Sequence, residues 1–127
     1  MTINDIMKSL YFKKNVYFVD MFGKIKFNQT TLYSDRNNCS SRSHIEQWLS
    51  MNDLLNVAYF LNAGWVPHWE NKEEEKYIIL IENGTPVPLK VDNPVSFVYF
   101  PSEENTKEAI RIMGSKQLLH IFQGESL

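Results

Sequence analysis

The run "KYIILIENGTPVPLKV", Lys76 to Val91, narrows the choice of fold more than any other stretch of the 127 residues. Four successive aliphatic residues lead toward Asn83-Gly84, a dipeptide that accepts the paired positive φ angles of a two-residue hairpin turn. Pro86 and Pro88 follow two positions apart, so both missing N–H groups point to the same side of the returning strand. Such a strand belongs at a sheet edge, where its prolines discourage pairing with a further chain.

The flanking sequence supplies a second hairpin and several helices. "VYFVDMFGKIKF" predicts strands over Val16 to Val19 and Lys24 to Phe27, with Gly23 providing the positive φ of the turn after Asp20. After "DNP", "VSFVYF" reads as the third strand of a meander. Ile3, Ile6, Met7, Leu10 and Tyr11 recur at helical spacing behind a Thr2–Asp5 cap. "NQTTLYSDRNNCSSRS" lacks periodicity and reads as a loop. A long helix starts near Ser43, with Ser43 and Glu46 in capping-box spacing. It presents Trp48, Met51, Leu55 and Ala58 on one face, Leu54 and Leu61 beside it, and stops at Gly64 before Pro67. "SEENTKEAIRIMG", with Asn105 and Glu108 in capping-box spacing, and "SKQLLHIF" add two short helices separated by Gly114. The order α-ββ-α-βββ-α-α predicts an α+β fold, a small antiparallel sheet (hairpin plus three-stranded meander) covered by helices. At this length we expect a single domain, 1–127, able to bury its own core.

Composition bounds the setting. The single cysteine, Cys39, excludes an internal disulfide and suits a reducing, cytoplasmic compartment. The N-terminus lacks a secretory signal pattern, and no apolar run is long enough to span a membrane. Net charge is −2, distributed unevenly: residues 1–42 carry +4 and residues 43–127 carry −6. Such asymmetry marks a candidate interaction surface, or two halves that complement each other.

Signatures of catalysis are missing. His44, His68 and His120 show no HxxxH or HExxH spacing, and Cys39 has no second cysteine to complete a metal set, so no metal or other cofactor is expected. The five glycines fall at turns and helix ends rather than in a phosphate-cradling motif. We therefore expect a protein that is not an enzyme. Two stretches remain. "LNAGWVPHWE" holds Trp65 and Trp69 at a helix–strand junction, where tryptophan either packs or anchors a partner. It runs into the acidic Glu70, Glu73, Glu74 and Glu75, read first as solvated chain. In the N-terminal third, Lys13, Lys14, Lys24 and Lys26 interleave with aromatic residues, a pattern able to follow a phosphate backbone and stack unpaired bases.

With these elements placed, the chain resembles a family of small phage and prophage accessory proteins of gut and related bacteria. The resemblance rests on "YFVDMFGKI" (Tyr17 to Ile25), "LNAGWVPHW", "EEEKYII" and "FVYFPSEENTKEAIRIMGSKQLLHIF", and covers Lys14 to Phe122. It departs between Phe27 and Ile45, where relatives tend to carry "Y-F-x-T-x-x-E-A" and this chain has "SDRNNCSSRSHIEQ", so it says least about the start of the central helix. The resemblance implies no catalytic or binding residues but does imply a setting, a phage protein in the host bacterial cytoplasm. In that setting, the reading that follows is an anti-CRISPR-type antagonist that inhibits a host defence complex, a host protein or ribonucleoprotein such as a Cas effector, by occupancy. Glu70, Glu73, Glu74 and Glu75 would meet a basic nucleic-acid channel, with Trp65 and Trp69 as anchors. The alternative is a nucleic-acid-binding accessory of phage replication or recombination, using Lys13, Lys14, Lys24 and Lys26. No signal for an oligomeric state is present.

Overall fold

A computed structural model describes residues 1–6, 16–28 and 37–125. The Met7–Tyr11 portion of the expected N-terminal helix, Lys13, Lys14 and residues 29–36 of the polar loop lie outside them. The fold is α+β: β1 (Val16–Val19), β2 (Ile25–Asn28), α1 (Arg42–Leu61), β3 (Tyr77–Glu82), β4 (Thr85–Lys90), α2 (Glu103–Met113) and α3 (Ser115–Gln123), with residues 3–6 also helical. The chain divides into two compact units, Met1–Leu49 and Ser50–Leu127, each described by itself below.

In the first unit, Thr2 and Asp5 form a reciprocal cap: the Thr2 backbone N–H donates to Asp5 Oδ2 (2.8 Å) and the Asp5 N–H to Thr2 Oγ1 (3.2 Å). β1 and β2 pair antiparallel with Val19 opposite Ile25 and Val16 opposite Asn28. Their turn is held by Asp20, whose Oδ1 accepts from the backbone N–H groups of Phe22 and Lys24 (2.9 Å each), while Gly23 takes φ 75°. Those bonds, the Lys24 N–H foremost, pull the Asp20 carboxyl below its ordinary pKa. On the far edge of β1, Tyr17 exchanges both backbone bonds with Cys39 (2.8 Å each). Asn37 extends that edge with its side-chain amide, its Nδ2 donating to the Val19 carbonyl at 2.9 Å.

The central helix begins one residue earlier than its expected capping box. Ser41 occupies the position just outside it, with its carbonyl accepting from Ile45 N–H (3.3 Å), and Glu46 pairs with Arg42 (2.9 Å) instead of capping the backbone. Its buried face is also rotated from the expected one. Leu54 and Ala58 are buried, with Met51, Val57 and Leu61 packed against the same cluster, whereas Trp48 and Leu55 are 42% and 44% exposed. Apolar residues occupy nearly every face of α1 between Trp48 and Leu61, so spacing alone does not select the face that packs.

In the second unit, β3 and β4 pair through a two-residue turn in which Asn83 (φ 51°) and Gly84 (φ 76°) both have positive φ. The expected third meander strand is not formed, and the described residues form two two-stranded sheets, β1-β2 and β3-β4, instead of one. Only Phe100 pairs, exchanging backbone bonds with Tyr77 (2.8 and 2.9 Å). The cause is local: the Tyr99 hydroxyl accepts from Ser96 N–H and donates to the Ser96 carbonyl (2.7 Å each), bending the chain back on itself between two prolines, Pro94 and Pro101. α2 packs against β3 and β4, and α3 against β4 and α2. The core comprises Leu54, Ala58, Ile79, Val98, Phe100, Ala109, Met113, Leu118 and Ile121. The cap of α2 is Ser102, whose Oγ accepts from Asn105 N–H (3.1 Å), so the expected Asn105–Glu108 box is shifted and Glu108 pairs with Arg111. Gly114 at φ 83° separates α2 from α3 as expected.

Candidate partner-binding site

The Trp-rich junction starts where α1 ends. Two consecutive left-handed residues, Ala63 (φ 51°) and Gly64 (φ 79°), turn the chain, and the Gly64 N–H reaches back to the Tyr59 carbonyl (3.2 Å). Asn62, buried at the helix end, donates from Nδ2 to the Tyr99 carbonyl (2.8 Å) and accepts at Oδ1 from Asn105 Nδ2 (3.1 Å). Asn105 also donates to the Leu61 carbonyl (3.1 Å), an orphan acceptor of the helix C-terminus. One amide pair thus ties the end of α1, the start of α2 and the Tyr99 bend together.

Beyond Pro67 the organising group is the Glu74 carboxylate. It accepts from the His68 backbone N–H (2.7 Å), meets His68 Nδ1 at 2.8 Å, and accepts from Trp65 Nε1 at 3.3 Å. These bonds to its charged form, the His68 backbone N–H foremost, pull its pKa down to about 2. Lys76 is buried, donates to the carbonyls of Asn71 (2.8 Å) and Glu74 (3.1 Å), and lies 3.5 Å from Glu74 Oε1. Its ammonium stands 5.4 Å from the Trp69 ring centroid, and Trp69 meets Tyr99 edge to face at 5.0 Å. Asn71 Oδ1 closes the intervening turn by accepting from Glu73 N–H (3.0 Å).

The residues singled out in the sequence therefore divide. Trp65, Trp69 and Glu74 are drawn together as half-buried parts of one loop-pinning network. Glu70, Glu73 and Glu75 remain exposed, with Glu75 facing Lys90 at 3.7 Å across a solvent-exposed pair worth little to stability. Sequence reasoning missed Lys76, Asn62 and Tyr99. Lys76 closes a charge run that reads as solvated, and no spacing rule links Asn62 to Asn105, whose distance along the chain is 43 residues.

The folded-state pKa of Glu74 lies below the ordinary 4.5, so its contribution to stability is complete above that value and is lost as pH falls through about 2. Glu74→Gln should lower the melting temperature at neutral pH, with the gap to wild type closing as pH is taken from 5 toward 2. Tryptophan emission during thermal melts at each pH measures this, and a gap that stays constant with pH would contradict the network.

In the first unit, Lys24 and Lys26 are exposed, with Lys26 4.0 Å from Asp20 Oδ2. Met21 and Phe22 at the hairpin tip are 81% and 78% exposed, and Phe27 stacks on Tyr17 at 4.6 Å. Burial raises the Cys39 thiol pKa above its ordinary value. Among the described residues, no three His, Cys, Asp or Glu side chains are grouped to hold a metal ion, and no helix is long and apolar enough to cross a membrane. In comparison with known proteins, the chain matches no family model, no curated protein and no solved structure.

Proposed function

We propose that this protein works by occupancy rather than catalysis, presenting a pinned acidic loop to a basic surface of a host protein or ribonucleoprotein. The observation that carries this reading is the Glu74 network. It spends one carboxylate, two tryptophans and a buried lysine on fixing the loop, and leaves Glu70, Glu73 and Glu75 facing solvent. A loop fixed before binding loses little conformational freedom on docking, and carboxylates on it favour encounter with a cationic channel. The phage resemblance supports a defence complex, such as a Cas effector, as the class of target.

The test is a tagged pull-down from host lysate with and without nuclease, repeated with a Glu70→Lys, Glu73→Lys, Glu75→Lys variant. A stoichiometric host protein retained after nuclease treatment and lost in the variant is the expected result. Retention unchanged by the three reversals would remove the acidic loop from the binding surface.

A second reading is favoured by the tip of the first hairpin, where Met21 and Phe22 stand exposed beside Lys24 and Lys26. Apolar side chains flanked by lysines suit stacking on unpaired bases and contact with phosphate. On this reading, affinity for a single-stranded oligonucleotide falls with salt, and Lys24→Gln with Lys26→Gln lowers the log–log slope by about 1.4, at roughly 0.7 per lost phosphate contact. An unchanged slope would exclude these lysines from such contact.

A further inference from the structure

Asn83 is the one asparagine of the chain that is followed by glycine. Both residues are exposed at the tip of the β3–β4 hairpin, where a Cβ built on Gly84 would meet no atom within 4 Å. Among the described residues nothing accepts from the Gly84 N–H, and the Asn83 side-chain amide has no hydrogen-bond partner. Other asparagines are held: Asn37, Asn62, Asn71 and Asn105 all make side-chain hydrogen bonds. A free primary amide thus stands next to a free backbone N–H with no neighbouring Cβ to hinder it, the pair of groups that can close a cyclic imide. The conformation opposes that closure. Asn83 has φ 51°, and in the left-handed region ψ is about +30° to +60°, which sets Asn83 Cβ and the Gly84 nitrogen on opposite sides of the Cα–C bond. The ring needs them on the same side, so it forms only when the turn opens.

We propose that Asn83 is a site of self-modification, deamidation through a cyclic imide, gated by opening of the β3–β4 turn. In the open turn the Gly84 nitrogen, giving its proton to water, attacks Asn83 Cγ. The N–Cγ bond forms, the Cγ–Nδ2 bond breaks, and ammonia leaves with a proton taken from water. Water then adds to one of the two imide carbonyls and reopens the ring. Addition at Cγ leaves an aspartyl residue on the ordinary backbone. Addition at the backbone carbonyl leaves an isoaspartyl residue, through which the chain runs by way of Cβ and Cγ. The first product places a carboxylate beside the exposed Glu82, in a left-handed conformation that aspartate tolerates. The second lengthens the backbone by one carbon inside a turn whose register, Glu82 opposite Thr85, depends on its length. Helices α2 and α3 pack on this hairpin, so the isoaspartyl chain loses part of the support of its core. The hairpin thus carries its own clock, since each opening exposes it to a step that the chain does not reverse. This chemistry does not depend on the role of the acidic loop.

The experiment incubates the full chain in mildly alkaline buffer, with and without denaturing urea, and follows its tryptic peptides by mass spectrometry. Fragmentation separates aspartyl from isoaspartyl product. The expected result is conversion at Asn83 ahead of the other asparagines, with a rate in the folded chain at least about tenfold below that in urea, because the open turn is a minor state. The deamidated fraction, isolated by ion exchange, should melt below Asn83→Asp, which carries the same charge on the ordinary backbone. Equal rates with and without urea would remove the gate. A folded chain that stays unmodified through full conversion of the unfolded one would make the turn a permanent block. Faster conversion at another asparagine of the folded chain would move the site, and a deamidated fraction as stable as Asn83→Asp would stop the clock. Each of these outcomes overturns the proposal.

Discussion

Phe100→Ala is expected to lower the unfolding free energy by about 3–5 kcal/mol, the range for emptying a buried aromatic site. The ring has no exposed surface and belongs to the cluster that joins α1, the β3–β4 hairpin, α2 and α3. The backbone bridge to Tyr77 survives the substitution, so the loss is one of transfer and cavity rather than of hydrogen bonding. Phe100→Leu, which refills much of the space, should cost under about 2 kcal/mol. Urea unfolding followed by tryptophan emission measures both, as midpoint shifts at constant slope. A loss below about 1 kcal/mol for the alanine variant would mean that the site collapses onto the void, against the close packing inferred for this core.

Phe100 also shows how far the fold could be read from the sequence. The hairpins were legible because their turns depend on local chemistry: Asn83-Gly84, Gly23 after Asp20, and the two prolines of β4 act within a few residues. "VSFVYF" carries an equally strong strand pattern, yet only its last residue pairs, because the Tyr99 hydroxyl captures both backbone groups of Ser96. That competition between a side chain and a ladder leaves no periodic trace. The face of α1 was illegible for a different reason, since Trp48 and Leu55 offer the same spacing as the residues that do pack and only the tertiary partner distinguishes them. At the candidate site, the sequence exposed the tryptophans and the acids but not their division of labour. Glu74 differs from Glu73 and Glu75 only in where the loop turns, and that turn depends on Asn71 and His68.

The second large effect is expected at Asn62, where the choice of replacement separates two physical causes. Asn62→Leu removes a donor to the Tyr99 carbonyl and an acceptor for Asn105 Nδ2, which keeps its bond to the Leu61 carbonyl. The cost should be about 1–3 kcal/mol, the range for leaving a buried polar group unpaired. Asn62→Asp retains the acceptor for Asn105 but turns the donor facing Tyr99 into a second acceptor, and it places a negative charge at the C-terminal end of α1, where the helix dipole is already negative. The aspartate variant should therefore be the less stable of the two at neutral pH. Its carboxyl would have a raised folded-state pKa, because burial, the Tyr99 carbonyl and the negative end of the helix dipole all oppose the charged form. The sign follows: the penalty is largest above that raised pKa and shrinks as pH falls and the proton is retained in the folded state. Chemical unfolding at pH 7.5 and at pH 5 measures both terms. An aspartate variant as stable as the leucine variant at both pH values would mean that the Tyr99 carbonyl is not held at this site. The Ser96–Tyr99 bend and the base on which Trp69 rests both depend on that carbonyl's segment, so its loss would detach both from a common support.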